Sequence, residues 1–587
     1  MRTTSKRGAT LIDALLASAL LLIVFLGIFG AFQLAIELVS ANKAKVGAVA
    51  LANEQMELIR SLSYDDVGTV GGIPSGGLAQ TENISLNNSD FTRRTLIQYV
   101  DAPEDGEGAD DENGITADYK RVKVEIAWTQ RGGARTYSLV TNIVPNGIET
   151  LEGGGTLVLT AIDSFGLPIG NASVRIVNTQ TNPTIDVTSF TNTNGKVLFP
   201  GSPDASSYEI TVSKAGYSSA QTYDADTANP NPSPGHLTVS EGQTTNASFA
   251  IDTVGTLTVR TWEPIGPGTW TDTFASETSL NETTDTEVVE GALTLADPGS
   301  GYPSTGEAYS IVIGPAFLSS WNELSWNETV PADTSITYRL YYMDDQAGRT
   351  IIPDADLPGN SAGFTTGPVD ISGLSLDPYD NLIIHGMLNT NDASTTPEVL
   401  DWSASYLAGP TPLPNISFTV TGAKTIGTTG GGAPIYKYEA THSSGSASSE
   451  TLEAMEWDTY TISVDDNAIG YDISESCSPQ PISLAPGESE TVNLYFVADT
   501  THSLLVDVTD SNGNPVEDAT VRLTRTGFDE TSTTGNCGQT FWEGLGQGIV
   551  QGGNEYTVEV SKSGFLDEST PADVSGASRI SVSLSSL

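Results

Sequence analysis

From Ala14 to Ile36 the chain runs 23 residues without a charge, between Asp13 and Glu37. That length and composition predict one helix able to cross a hydrocarbon layer, with the span at about residues 11–36. Beyond it Val46, Val49, Ala52, Met56 and Ile59 recur at steps of three and four, which predicts an apolar stripe on the same helix, continuing to about residue 62. Glycine pairs at 71–72 and 76–77 follow a Ser63–Gly68 turn and end it. Thereafter the period changes to two. Segments 93–100, 120–129 and 136–144 alternate as strands, and the stripe is expected to pack on the small sheet they make.

Self-similarity governs the rest of the chain. Residues 157–176 (LVLTAIDSFGLPIGNASVRI) match 504–523 (LLVDVTDSNGNPVEDATVRL) at a constant offset, and YEITVSKAGY from Tyr208 matches YTVEVSKSGF from Tyr556. A weaker copy covers 412–500, where WDTYTISV from Trp457 and ISLAPGESETVNLYFV from Ile482 stand in corresponding places. Each copy reads as a strand, an Asp/Asn-Gly turn, a second strand led by proline, another Gly turn and further alternating strands: a small antiparallel sandwich. The pattern resembles the carboxypeptidase regulatory-like domain, a transthyretin-type fold used as a spacer or interaction unit. The resemblance brings no peptidase with it: none of His236, His385, His442 and His502 has a glutamate at zinc-peptidase spacing. Residues 254–411 lack the repeat signature and hold Trp262, Trp270, Trp321, Trp326 and Trp402, which predicts a larger, jelly-roll-like sandwich. Core packing and a sugar-binding aromatic platform are both open for these tryptophans.

Composition narrows the function classes. With 25 Lys+Arg against 73 Asp+Glu the net charge is −48, which excludes a nucleic-acid binder. The first 60 residues carry six basic and four acidic side chains, so the acid lies outside the anchor. Two cysteines and four histidines leave little for metal catalysis, no nucleophile elbow or phosphate loop is present, and the expectation is a protein that is not an enzyme. The surviving enzymatic reading is a glycan-active site within 254–411. Asp101, Asp105, Gly106 and Glu112 fit positions of a calcium loop, with Glu107 between them, but Pro103 breaks the pattern and helical flanks are missing. Calcium and a solvated acidic hairpin both remain open there. Cys477 and Cys537 are expected outside the membrane, either bridged or as two free thiols.

The most specific motif lies at the start of the span: Lys6-Arg7-Gly8, then Ala9-Thr10-Leu11-Ile12-Asp13-Ala14-Leu15-Leu16. It resembles the signal of type IV pilins and pseudopilins. The resemblance implies cleavage after Gly8 by a prepilin peptidase, methylation of Ala9, and a subunit contact through Asp13; Ala9 and Asp13 stand where the family more often has Phe or Met and Glu. A carboxylate in an apolar span costs roughly 2.5–3.5 kcal/mol at the bilayer centre and calls for a partner, which in the family is a neighbouring subunit's terminal amine. Some pseudopilins also carry a calcium loop in the head.

The expected fold is therefore mainly β: a leader at 1–8, a long helix at 9–62, a pilin-like head sheet at 63–150, then sandwiches at 151–253, 254–411, 412–500 and 501–587. Arg2, Lys6 and Arg7 place the N-terminus in the cytoplasm and the bulk outside, at the cell surface or on a pilus after processing. The terminal RISVSLSSL reads as a strand without a sorting signal, leaving the N-terminal helix as anchor. The expected function is a minor type IV pilin-like subunit displaying sandwiches for adhesion, with the membrane, other pilin subunits and a neutral glycan or surface protein as partners. The alternatives are a secretion pseudopilin and a tethered envelope protein that never polymerises.

Overall fold

The computed structural model describes residues 11–587 apart from 88, 103, 105, 107–116, 131–132, 146–153, 345, 478, 550, 551 and 554, and leaves the side chains of 11–15 and 17 undescribed. The chain is mainly β, with one long helix, Leu11–Arg60. The distal part of that helix lies on an antiparallel meander of Thr81–Leu86, Ser89–Val100, Tyr119–Gln130 and Gly133–Ile143. Alternation does the positioning: Val122, Val124, Ile126 and Trp128 point to the helix and their neighbours point away.

The helix face differs from the expected stripe. Ala52, Met56 and Ile59 are buried as expected, but Val46 is 69% exposed and Val49 only half-buried; Ala44, Ala48 and Leu51 complete the contact instead. The reason is distance. The backbone lies so close to the sheet that a methyl on Gly47 would sit 3.3 Å from the Phe91 ring, and such an approach selects small residues over bulky apolar ones.

Three sandwiches share one topology. In the first, strand Gly155–Ile162 runs parallel to Thr244–Ala250 and antiparallel to Lys196–Ser202. In the last, Ser503–Asp510 runs parallel to Ala577–Leu584 and antiparallel to Gln539–Trp542. The middle copy repeats this arrangement, but its opening strand is Gly255–Glu263, parallel to Ser489–Ala498 and antiparallel to Ser449–Met455. The sequence-based boundaries at 254 and 412 are thereby corrected: the middle sandwich comprises 255–263 together with 411–498, and the larger sandwich interrupts it. The cause is hydrophobic closure, since Leu257 and Val259 are fully buried in the core of the middle copy.

The interruption falls at one turn. In the outer copies the opening strand ends in an Asp-capped turn: Asp163 accepts from the amides of Phe165 and Leu167 at 2.9 and 2.8 Å, and Asp510 from those of Asn512 and Asn514 at 2.8 and 2.9 Å. Each turn returns to a proline bridged to the strand, Pro168 to Ile162 and Pro515 to Thr509. In the middle copy Pro412 pairs with Trp262 in the same way, with residues 264–410 in place of the turn. Three residues past each proline stands a left-handed residue, Asn171, Asn415 or Asp518 (φ 57°, 61° and 51°), where Asn and Asp are tolerated best. The next residue, Ala172, Ile416 or Ala519, enters the core. The shared register extends to a tyrosine whose hydroxyl closes a loop: Tyr208 to Pro203 O at 2.6 Å, Tyr460 to Glu456 O at 2.7 Å and Tyr556 to Gly546 O at 2.9 Å.

The inserted sandwich packs two antiparallel sheets around Phe274, Trp321, Tyr338 and Trp402, all fully buried. Trp321 donates to Tyr379 O at 2.7 Å, and Trp402 meets Phe274 edge-on at 5.2 Å. Trp326 lies half-buried, stacked on Tyr338 at 4.1 Å with Gly367 against it. These three tryptophans are therefore packing residues, not an open sugar platform.

Candidate functional site

The proximal helix is apolar on every side. From Leu20 to Val39 its large apolar side chains are 52–70% exposed, and none packs on the sheets. It is long and apolar enough to cross a membrane. A helix of that composition needs an apolar surrounding, which the described residues do not provide. Gly8 and Ala9 lie outside the described residues; Asp13 falls in the first turn of the helix, its side chain undescribed.

Asp101 is buried at the foot of the acidic loop, opposite Asp118, whose carboxylate accepts from the amide of Ala102. Asp105, Glu107 and Glu112 lie outside the described residues. Lys120, 1% exposed, donates to the carbonyls of Tyr64 at 2.7 Å and Val67 at 2.9 Å and so ties the sheet to the end of the helix.

The units beyond the helix are joined by specific contacts. Between head and first repeat, Gln80 donates to Asp186 O at 2.7 Å, the amide of Asp186 donates to Gly71 O at 2.8 Å, and Ile73 inserts into the core of the repeat. Between first and middle repeats, strand Asn231–Pro232 pairs with Thr425–Thr428, and Lys437 donates to Ser219 O at 2.7 Å. Between middle and last repeats, Cys477 and Cys537 form a disulfide with 5.2 Å between Cα atoms. Beside it the Ser476 amide donates to Gln539 at 2.6 Å, and Gln539 donates to Asp507, which Arg579 also grips, at 2.9 Å through Nη2. Each junction thus has backbone-level or covalent restraint.

The inserted sandwich carries a polar cluster on the face away from its core. Gly386 abuts Trp402, so by alternation its neighbour His385 points to the opposite face. His385 is only 2% exposed, because Tyr309 stacks on it at 4.3 Å and Tyr341 meets it edge-on at 5.6 Å. Its Nε2 lies 3.1 Å from Glu307, and Arg349 covers Tyr309 at 3.6 Å while pairing with Glu282 at 2.7 Å. Sequence reasoning missed this cluster because its residues come from five strands.

Burial holds the His385 imidazole below its ordinary value, outweighing Glu307, with Arg339 and Arg349 acting in the same sense as burial. A depressed value means that folding favours the neutral ring. Stability from this group is therefore complete above the unfolded value near 6.5 and is lost as pH falls below it, by up to about 1.4 kcal/mol per pH unit for one proton. Melting curves between pH 7 and 5 are expected to fall less steeply for His385→Gln than for the natural chain; parallel curves would contradict this.

By fold, this is a multidomain β-sandwich protein with an apolar N-terminal helix. Residues 156–252, the first repeat, match the family model of the carboxypeptidase regulatory-like domain. Among curated proteins, none matches the chain. Solved structures with detectable similarity include the Bacillus anthracis TIE protein, at 11% identity over 86% of this chain and 73% of that one, TM-score 0.15. BcpA, the major pilin subunit of Bacillus cereus, is 10% identical over 74% of this chain and 100% of its own, TM-score 0.13. The shaft pilin SpaA from Lactobacillus rhamnosus GG is 12% identical over 30% and 90%, TM-score 0.13. TM-scores this low leave those overlays without bearing on architecture or activity.

Proposed function

We propose that the chain is a minor type IV pilin-like subunit that holds a train of β-sandwiches outside the cell for adhesion or surface interaction, without catalysis of its own. The observation that carries this reading is the helix: apolar and unburied over its proximal part, packed on a four-stranded sheet over its distal part, and preceded by Lys6-Arg7-Gly8-Ala9 with Asp13 at the boundary. Prepilin peptidase would cut after Gly8 and the new Ala9 terminus would be methylated. The exposed helix would then bury itself among the helices of other subunits, with Asp13 facing a terminal amine.

The restrained junctions suit display, since a ligand-binding surface far from the membrane gains reach only if intervening domains do not fold back. The net charge of −48 would repel anionic surfaces beyond a Debye length of about 8–10 Å, so neutral glycans or proteins are the favoured contacts. Low stoichiometry follows from bulk, because so large a head fits poorly at every position of a close-packed filament. In the source cells, Asp13→Ala is expected to deplete the protein at least tenfold from sheared surface material while it persists in membranes. An unchanged distribution would reject assembly through this residue.

A further inference from the structure

Where the middle repeat meets the last, three acids converge from separate segments. Asp466 lies in the single-turn helix Asp466–Ile469, Asp472 in strand Tyr471–Cys477, and Asp499 directly after strand Ser489–Ala498. The pairing of Tyr471 with Ala498, and the Asp499 amide donating to Gly470 O at 3.0 Å, fix these segments side by side. One carboxylate oxygen from each acid lies within 4.8 Å of the other two.

Asp472 is fully buried. Its Oδ2 accepts from the Thr500 amide at 3.2 Å and hydroxyl at 3.4 Å, whereas its Oδ1, equally shielded from water, has no hydrogen-bond partner. A buried carboxylate oxygen without a donor is costly, and two further carboxylates beside it raise the cost. Among the described residues, none of the three acids is in a salt bridge with Lys, Arg or His. Burial pushes the Asp472 carboxyl upward against the Thr500 amide and the Ser503 hydroxyl, which pull it down, and the charges of Asp499 and Asp466 add smaller upward contributions. Elsewhere in the protein, the similarly buried Asp507 is answered by Arg579, Gln539 and Ser581.

We infer that Asp466, Asp472 and Asp499 form a calcium site on the middle repeat and the segment that leads from it into the last. The donor set is all oxygen, as a hard divalent cation requires. Two oxygens on opposite sides of a calcium ion, each at about 2.4 Å, stand about 4.8 Å apart, so the cluster fits inside one coordination sphere, with water completing it. Three acids from separate segments suit the flexible calcium shell better than the strict octahedron of magnesium. The ion would fasten the start of strand Tyr471–Cys477, whose end the disulfide already fastens to the last repeat.

The test uses the full chain in detergent, stripped with chelator and titrated calorimetrically with calcium chloride, alongside Asp499→Asn and Asp472→Asn. Asp499 is exposed, so its variant keeps the fold even if the buried change does not. The natural chain is expected to bind one more calcium than either variant, or to bind that ion at least tenfold more tightly, with a dissociation constant on the order of 10⁻⁴–10⁻³ M. Calcium should also slow phosphine reduction of Cys477–Cys537 in the natural chain and not in Asp499→Asn. Equal calcium binding by the natural chain and Asp499→Asn, or equal protection of the disulfide in both, would overturn the site.

Discussion

A chain in which residues 264–410 are replaced by Ser-Asn-Gly, with Glu263→Asp to cap the turn, is expected to fold its middle repeat as before. The last repeat supplies the template, where Asp510-Ser511-Asn512-Gly513-Asn514 makes the same connection. The converse deletion, of 255–263, is expected to unfold 411–498. It removes Leu257 and Val259 from the core, worth about 3–6 kcal/mol at roughly 1.5–3 kcal/mol for each buried side chain. It also strips hydrogen-bond partners from two flanking strands. That loss is comparable to the whole stability of a small domain. Limited proteolysis read by mass spectrometry checks both: the shortened chain should yield a resistant fragment running from 255–263 directly into 411–498, and the strand deletion should be cut throughout 411–498. Rapid cleavage of the shortened chain would mean that the inserted sandwich holds the middle repeat together rather than interrupting it.

The second large effect lies at the disulfide. Cys477 and Cys537 are 60 residues apart, and closing a loop of that length restricts the unfolded chain by about 4 kcal/mol in the chain-entropy model. Cys537→Ser should lower the urea midpoint of the last repeat and separate its transition from that of the middle repeat, while the Ser476–Gln539 hydrogen bond persists in the folded state. A midpoint unchanged from the natural chain, measured without reductant, would show that the bond restrains nothing that the junction does not already hold.

Much of this architecture was legible because physical constraints repeat. The Asp-x-x-Gly turns and the prolines after them stand at the same spacing in the outer copies, and the tyrosine-led strands follow within one residue of it, so similar chemistry marked similar geometry. The middle copy was read short because its opening strand is separated from the rest by 147 residues, 264 through 410, and no local pattern announces such a gap. A signal was nevertheless there: Gly255-Thr256-Leu257 repeats Gly155-Thr156-Leu157. The helix stripe misled for another reason. Periodicity picks out apolar bulk, whereas close packing against a sheet selects Ala44, Gly47 and Ala48, which carry little hydrophobic signal. The acidic junction was invisible in one dimension, since Asp466, Asp472 and Asp499 meet only after strand pairing. The processing motif was the reverse case, resting wholly on sequence.

The central claim is that Gly8 is cut and the mature chain, beginning at Ala9, enters an assembly through its long helix. Mass spectrometry of the N-terminal peptide from surface material sheared off the source cells tests it directly. The account predicts a peptide beginning at N-methylated Ala9 in that fraction; an intact Met1 found only in membranes would leave a tethered stack of sandwiches and contradict it.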